Sequence, residues 1–433
     1  MKFVITSFGS FGDLNPYVGL GRAMKARGHD VVLALPGHYI PFVEAAGLRG
    51  HAVRPDIDPN QRDIVRRIME PLSGPEYLIR ELMMPVVEDA FEDLDSIIDD
   101  DDVLLSHPLT YAAPVLAEHR AIRWASSVLA PLGFFSQDDP PLMVVHPVAE
   151  AVQRNLPGFY RRLVPFSRVA TRTWSAPVRA LRTRLGLPPG QDPVLAGQFS
   201  PQLNLAMFSR VLAQPQSDWP PNTVVTGAVS YDAVLGGLSD SLRAFLDAGP
   251  PPVVFTLGSA AVAAKSAARF YQTSLEAARD AGVRVVLLVG RDDGHRPDIG
   301  GGSDVFVAEW APHSELFPRA AAIVHQGGAG TLHTAIASGR PMLIVPHAHD
   351  QGDNAVRAAR LGVARVVFTS QYKRRAVSDH LKHLVSEPAW KARSAQVSAM
   401  VRSENGAERA CDALEALASR DTIPTALRAD ATL

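Results

Sequence analysis

The chain has a single cysteine, Cys411, among 433 residues. That excludes an internal disulfide and a thiolate metal cluster, fits a reducing compartment, and leaves packing as the role of the residue itself. Neither sign of charge dominates: 43 Lys and Arg stand against 45 Asp and Glu, a net charge of -2 with histidine neutral, so nothing in the balance asks for nucleic acid or an acidic polymer as partner. No apolar run approaches the ~20 residues needed to span a bilayer. The opening MKFVITS passes directly into a strand pattern without an apolar signal core, so a cytoplasmic protein with no stable membrane insertion is expected.

What is present is alternation. Short β-branched runs at Phe3–Thr6, Val31–Leu35, Val103–Leu105 and Ile122–Ser127 are separated by helical stretches, the first over Leu14–Arg27. A second series starts at Val253–Leu257 and continues at Val285–Val289, Val305–Ala308, Ala322–His325 and Met342–Val345. Strands alternating with helices read as parallel βαβ units, so the expected fold class is α/β with two doubly wound, Rossmann-like domains. The Pro-rich, polar stretch LAQPQSDWPPNTVVTG sets the division: a domain over 1–212, a linker over 213–222, a second domain over 223–405, and a C-terminal helix and tail over 406–433 whose return to the first domain stays open. Asp99–Asp102 reads as a solvated turn, with cation binding as the other reading. The arginine- and aromatic-rich stretch Arg154–Leu187 reads as an amphipathic helix whose arginine stems cover apolar surface, with a membrane-surface helix as the alternative.

The densest chemistry lies in AAIVHQGGAGTLHTAIASGRPMLIVPHAHDQGDN, Ala321–Asn354. A buried strand ends at His325, a turn with Gly327, Gly328 and Gly330 follows, and a helix begins near Thr331. Glycines let backbone approach a ligand, and free amides at a helix N-terminus attract a diphosphate. His325 is placed to donate to a phosphate oxygen. For the glycines alone a structural strand-to-helix turn is sufficient, and the GxGxxG spacing is not met.

Upstream lies EWAPHSELFPRA with Trp310, Pro312 and His313, and downstream lie His349, Asp350 and Gln351. Together these resemble the donor signature of the nucleotide-sugar glycosyltransferases that include plant secondary-product, sterol and antibiotic enzymes. The resemblance implies the two-domain GT-B fold, its domains facing across a cleft, the first binding acceptor and the second the nucleotide sugar. It implies Trp310 stacked on the pyrimidine, the backbone near His313 at the base edge, and a diphosphate held by Ser259, His325, Gly327, Gly328, Gly330 and Thr331. Asp350 and Gln351 would bond the sugar hydroxyls. Trp310 as a core aromatic and Asp350 as a helix N-cap are the plain alternatives. Plant members carry Gln at the place of His313, Asn-Ser at Ala329 and Gly330, and a ribose-binding Glu at His333, so the chain looks like the bacterial branch. Without that glutamate the donor lies between UDP-glucose, which is favoured, and a dTDP-sugar.

In SFGSFGDLNPYVGLGRA, Ser7–Ala23, Asp13 reads alone as a helix N-cap. In the resembled enzymes this position is the catalytic base, aspartate in the sterol and antibiotic branches. Inverting transfer needs a base for the acceptor hydroxyl and charge stabilisation for the departing diphosphate. His107, at the carboxyl end of a strand, would orient Asp13. Phe8, Phe11, Met83 and Phe134 are the candidate walls for a small, apolar, hydroxylated acceptor, aromatic or polycyclic; each is equally a core candidate. Asp56/Asp58 and Asp93/Asp95 fall outside the donor half, so no metal and no cofactor beyond the nucleotide sugar is expected. A nucleotide-sugar epimerase and a non-catalytic nucleotide-sugar-binding partner are the alternatives for the same fold.

Overall fold

A computed structural model of the chain describes residues 1–419 apart from 59, 164–166, 233–236, 263, 265, 292–293, 295 and 299–301. The tail 420–433 and Phe166 of the arginine-rich stretch lie outside them. Two all-parallel sheets carry the fold. The first has seven strands in the order β3-β2-β1-β4-β5-β6-β7, namely β1 (Lys2–Thr6), β2 (Asp30–Leu35), β3 (Arg49–Ala52), β4 (Val103–Ser106), β5 (Arg123–Val128), β6 (Leu203–Ala206) and β7 (Thr223–Val225). The second has six in the order β10-β9-β8-β11-β12-β13: β8 (Val253–Thr256), β9 (Val285–Leu288), β10 (Val305–Ala308), β11 (Ala322–His325), β12 (Met342–Ile344) and β13 (Ala364–Val366).

Strand alternation assigns the two faces of each sheet to separate cores. Phe3 and Ile5 of β1 pack with α1 (Phe11–Ala26), while Val4 packs with Leu104 and the helices over 87–95, 112–119 and 176–184 on the other side. In the second sheet Val253 and Phe255 face one core and Val254 the other, the latter shared with α2 (Ala329–Ala337) and α3 (Gln351–Arg360). Helix α4 (Gly406–Ser419) follows the second domain in sequence and lies on the first. Its Ala410, Cys411 and Leu414 are fully buried beside Leu14 and Met24, and Arg27 pairs with Asp412 at 2.7 Å and Glu415 at 2.9 Å. Burial also pushes the Cys411 thiol up to about 12, consistent with packing.

The division between domains differs from the one read off composition. Thr223–Val225 pair with Asn204–Ala206 as the last strand of the first sheet, and Ala213 and Trp219 are buried in the first domain. The crossing comes after Val225, not at 213–222. A proline-rich connection between neighbouring strands has the same composition as one between domains, so composition alone does not separate them. Asp99–Asp102 is a turn whose charge is met by Lys2, 2.9 Å from Asp99 and 2.7 Å from Asp102. In the arginine-rich stretch Arg182 is buried against Glu118 and the Pro188 carbonyl, the packing role its stem was expected to play. Among the described residues no helix is long and apolar enough to cross a membrane.

Candidate active site

The carboxyl ends of both sheets open onto the same place. From β1 the chain turns through Gly9, whose φ of +140° suits glycine; a Cβ there would collide with the carboxylate of Asp13. Ser10, not Asp13, is the N-cap of α1, and Asp13 is the third helical residue, closing a capping box. Its Oδ2 accepts the Ser10 amide at 2.8 Å and the Ser10 hydroxyl at 3.1 Å, so Oδ1 is the oxygen left to take a proton. Burial raises the carboxyl above its usual range, against the lowering effect of the Ser10 bonds. The cap expectation failed because Ser10 and Asp13 are both good capping residues, and the geometry gives each its half of the box.

His107 follows β4, its amide bonded to the Thr6 carbonyl at 3.0 Å. Its Nδ1 accepts the Leu109 amide at 3.2 Å, its ring meets Tyr17 edge-on at 5.9 Å, and burial pushes it down to about 3. Both side-chain bonds of Asp13 go from its Oδ2 to Ser10, none goes to His107, and Tyr17, one turn further along α1, is the group whose ring meets His107. The expected Asp13–His107 pairing is therefore replaced by an aromatic contact. A strand-end histidine and a helix-start aspartate share a sheet end without sharing a bond.

On the opposite side β11 delivers the glycine turn. Gly327 has φ +92°, and a Cβ on it would come within 2.8 Å of Ile344 and 3.0 Å of the Gln351 carbonyl. Gly328 is the N-cap, so α2 starts at Ala329, earlier than Thr331. The first-turn amides of Ala329, Gly330 and Thr331 have no intrahelical acceptor and carry the positive end of the helix dipole. His325 does not join them. Its side chain is 0 % exposed, its Nδ1 accepts the Gly327 amide at 3.1 Å, and its Nε2 lies 3.3 Å from the Met342 sulfur. Burial, with His313 nearby, pushes it down to about 3, so it is a neutral residue that locks the turn rather than a donor to phosphate. The strand pattern already had β11 ending on this residue, and an inward-facing strand end hides its side chain.

Ser259 is exposed on the short turn Gly258–Ala261 after β8, which touches α1. Between that turn and Gly328 sits Gln326, a residue the sequence reading passed over. It is buried, with Nε2 at 3.4 Å from the Thr331 hydroxyl and Oε1 without a partner among the described residues. Its signal was its place inside the glycine run. Trp310 is 54 % exposed after β10, which removes the core-aromatic reading. His313 stacks on Phe317 at 4.4 Å and is pushed down to about 4 by burial, against the pull of Asp232.

Asp350 occupies the N-cap position of α3, yet its carboxylate makes no cap bond. Oδ2 instead accepts from the Asn354 amide at 2.7 Å, and the same amide nitrogen donates to the Gly327 carbonyl at 2.9 Å, tying the acid to the glycine turn. Asn354 too was missed as part of the site; it stands one helical turn after Asp350. Burial first, and the charge of Asp13 next, push Asp350 up to about 7. Gln351 uses its Oε1 to accept the amides of His347 at 2.9 Å and Ala348 at 3.2 Å, so only its amide nitrogen is left for a ligand. The two domains meet where the two helices begin: a Cβ on Gly330 would lie 3.3 Å from the Gly12 carbonyl.

The acceptor candidates divide. Phe8 and Met83 line a narrow cavity of about 20 Å³ with Val53, Val87 and Tyr111, room for little more than one water. Phe11 is 39 % exposed and packs edge-on against Tyr39 and Phe42. Phe134 is core, stacked on Trp219 at 4.3 Å, and is withdrawn as a pocket wall.

A carboxylate on one α/β domain facing a turn of free amides on another is the arrangement of a two-domain group transferase, which binds one substrate at each sheet end. Residues 275–417 match the EryCIII-like family, described as erythromycin biosynthesis protein CIII-like, C-terminal domain. The chain is 32 % identical over 98 % of its length to the O-mycaminosyltylonolide 6-deoxyallosyltransferase of Streptomyces fradiae, covering 99 % of that protein. Its fold is similar to the crystal structure of the glycotransferase of kitacinnamycin, with a TM-score of 0.70 at 23 % identity, covering 96 % of this chain and 98 % of that one. It is also similar to the glycosyltransferase VinC in complex with dTDP, with a TM-score of 0.65 at 23 % identity, covering 97 % of this chain and 100 % of that one. The chain belongs to the GT-B glycosyltransferases of the bacterial natural-product branch.

Proposed function

We propose that the protein moves a hexose from a nucleoside diphosphate donor onto a hydroxyl of a polycyclic or macrocyclic natural product, with inversion at the anomeric carbon. The observation that carries this reading is the approach of the α1 and α2 N-termini across the cleft, which sets Asp13 opposite the amides of Ala329, Gly330 and Thr331. In the transfer Asp13 Oδ1 takes the acceptor proton while the acceptor oxygen forms its bond to the anomeric carbon. The bond from that carbon to the diphosphate breaks, and the departing charge falls on the amides and dipole of α2. Base and leaving group on opposite domains favour attack from the face opposite the departing diphosphate, hence inversion.

Exposed Trp310 supports the role of platform for the base, and Asp350 with the Gln351 amide that of contacts to the sugar. For the donor we favour a dTDP-linked 6-deoxyhexose over the UDP-glucose expected from sequence. His333 gives both ring nitrogens to the protein, Nδ1 to the Ala329 carbonyl at 2.8 Å and Nε2 to the Ser209 amide at 3.3 Å, so no carboxylate or free imidazole at this position awaits a ribose diol. The dTDP in the VinC structure and the deoxyhexose in the relative's name point the same way. The test is incubation of the purified chain with dTDP- and UDP-hexoses and a panel of macrolide, polycyclic and phenolic acceptors, read by mass spectrometry. An acceptor that gains a deoxyhexose or hexose mass supports the reading; an isomerised or hydrolysed donor with no glycosylated acceptor overturns it.

A further inference from the structure

Helix α3, which begins at Asp350 and Gln351, is fastened to the other domain along its buried side. The Arg357 guanidinium is 4 % exposed, and its Nε donates to Asp353 Oδ2 at 2.7 Å. Its Nη1 donates to the Leu212 carbonyl at 3.2 Å and pairs with the carboxylate of Asp139. Asp353, 1 % exposed, accepts the Leu142 amide at 3.0 Å, and a Cβ on Gly352 would lie 3.1 Å from Val145. Asp139, Leu142 and Val145 all lie between β5 and β6 of the first domain. Trp310 takes no part in this fastening, and the glycine turn meets the helix at its head, through Asn354, rather than at Arg357.

We propose that Asp139 and Arg357 are positioning residues for the donor sugar, holding Asp350 and Gln351 in register with the acceptor domain. The inference rests on the proposed function, because it needs Asp350 and Gln351 to meet the sugar. A buried guanidinium that loses one carboxylate keeps its charge but loses part of what fixes it, so α3 gains freedom at the sugar end while the nucleotide contacts stay. Asp139 is the better lever, since it touches neither the glycine turn nor Asp350, and Asp139→Asn keeps the side chain's size and leaves the Arg357–Asp353 pair in place.

The measurement is calorimetric binding of dTDP and a dTDP-6-deoxyhexose, or of UDP and UDP-glucose if that nucleotide is the one bound, to the full wild-type chain, Asp139→Asn and Asp139→Glu. Nucleotide affinity should stay within about twofold in Asp139→Asn, as expected for a distant contact. The ratio of the nucleotide-sugar Kd to the nucleotide Kd should rise by roughly tenfold, the scale of a lost charge-assisted bond, and Asp139→Glu should restore most of it. Equal weakening of both ligands would show a general loosening and overturn the inference, as would no change in either. A wild-type chain that binds no nucleotide at all would overturn the proposed function and this inference with it.

Discussion

Replacing Asp350 by Asn should stabilise the empty protein above neutral pH and leave it unchanged in acid. The carboxyl is pushed from 3.8 up to about 7 by burial and by Asp13 across the cleft, with Asp353 one turn along adding to it. A carboxyl whose pKa is higher folded than unfolded binds its proton more tightly when folded, so its ionisation destabilises the fold. The cost is absent below pH 4, grows through the interval from about 4 to about 7, and is complete above it. Taken whole, the interval amounts to ~4 kcal/mol at about 1.4 kcal/mol per pH unit. Solvent reaches part of this carboxylate, which reduces the cost to ~1–2 kcal/mol. Asn keeps an oxygen for the Asn354 amide and removes the charge, so thermal unfolding should show a gain of roughly 1–2 °C at pH 8 that shrinks to nothing near pH 4. Asp13→Asn, which removes the opposing charge, should reduce the gain, making the double variant less than additive. A difference that does not vary with pH, or a variant less stable than wild type at pH 8, would refute the reasoning.

His325→Phe fills the same core but removes the acceptor of the Gly327 amide, and should cost about 1–3 kcal/mol in urea unfolding; unchanged stability with collapsed turnover would return His325 to direct phosphate contact. Trp310→Ala should raise the donor KM by roughly tenfold with little change in kcat, as loss of a stacking platform does, and a fall in kcat at constant KM would contradict it. Activity should survive EDTA, and loss with rescue by Mg²⁺ or Mn²⁺ would show that a metal completes the site.

Most strands could be read from sequence because fully buried parallel strands are continuous β-branched runs, as Val253–Thr256 and Val285–Leu288 are. The edge strand Arg49–Ala52, sequence RGHA, gave no such run, since one side of it meets solvent. The short strand Thr223–Val225 was absorbed into the proline-rich stretch before it. At the site the sequence brought out residue types and order, and the resemblance implied one cleft for Asp13, the glycine turn, Trp310 and Asp350; the structure brings Asp13, the glycine turn and Asp350 together. Side-chain direction was beyond it. Whether His325 faces ligand or core, whether Phe134 walls a pocket or stacks on Trp219, and whether Asp13 caps α1 alone or shares a box with Ser10 all depend on rotamers and neighbours from distant segments.

Asp13 is proposed as the base for the acceptor hydroxyl, and Asp13→Asn separates that role from the capping box. The amide oxygen can still accept the Ser10 amide, so the capping box persists, and relief from burying a charge offsets the lost interaction with the helix dipole. The measurement is the initial rate of glycoside formation on an unactivated alcohol acceptor at saturating donor, taken with a thermal unfolding curve for the same sample. The rate should fall by roughly 10²- to 10⁴-fold in a protein that still folds. A near-wild-type rate in folded Asp13→Asn would contradict it and leave the aspartate as part of a helix cap.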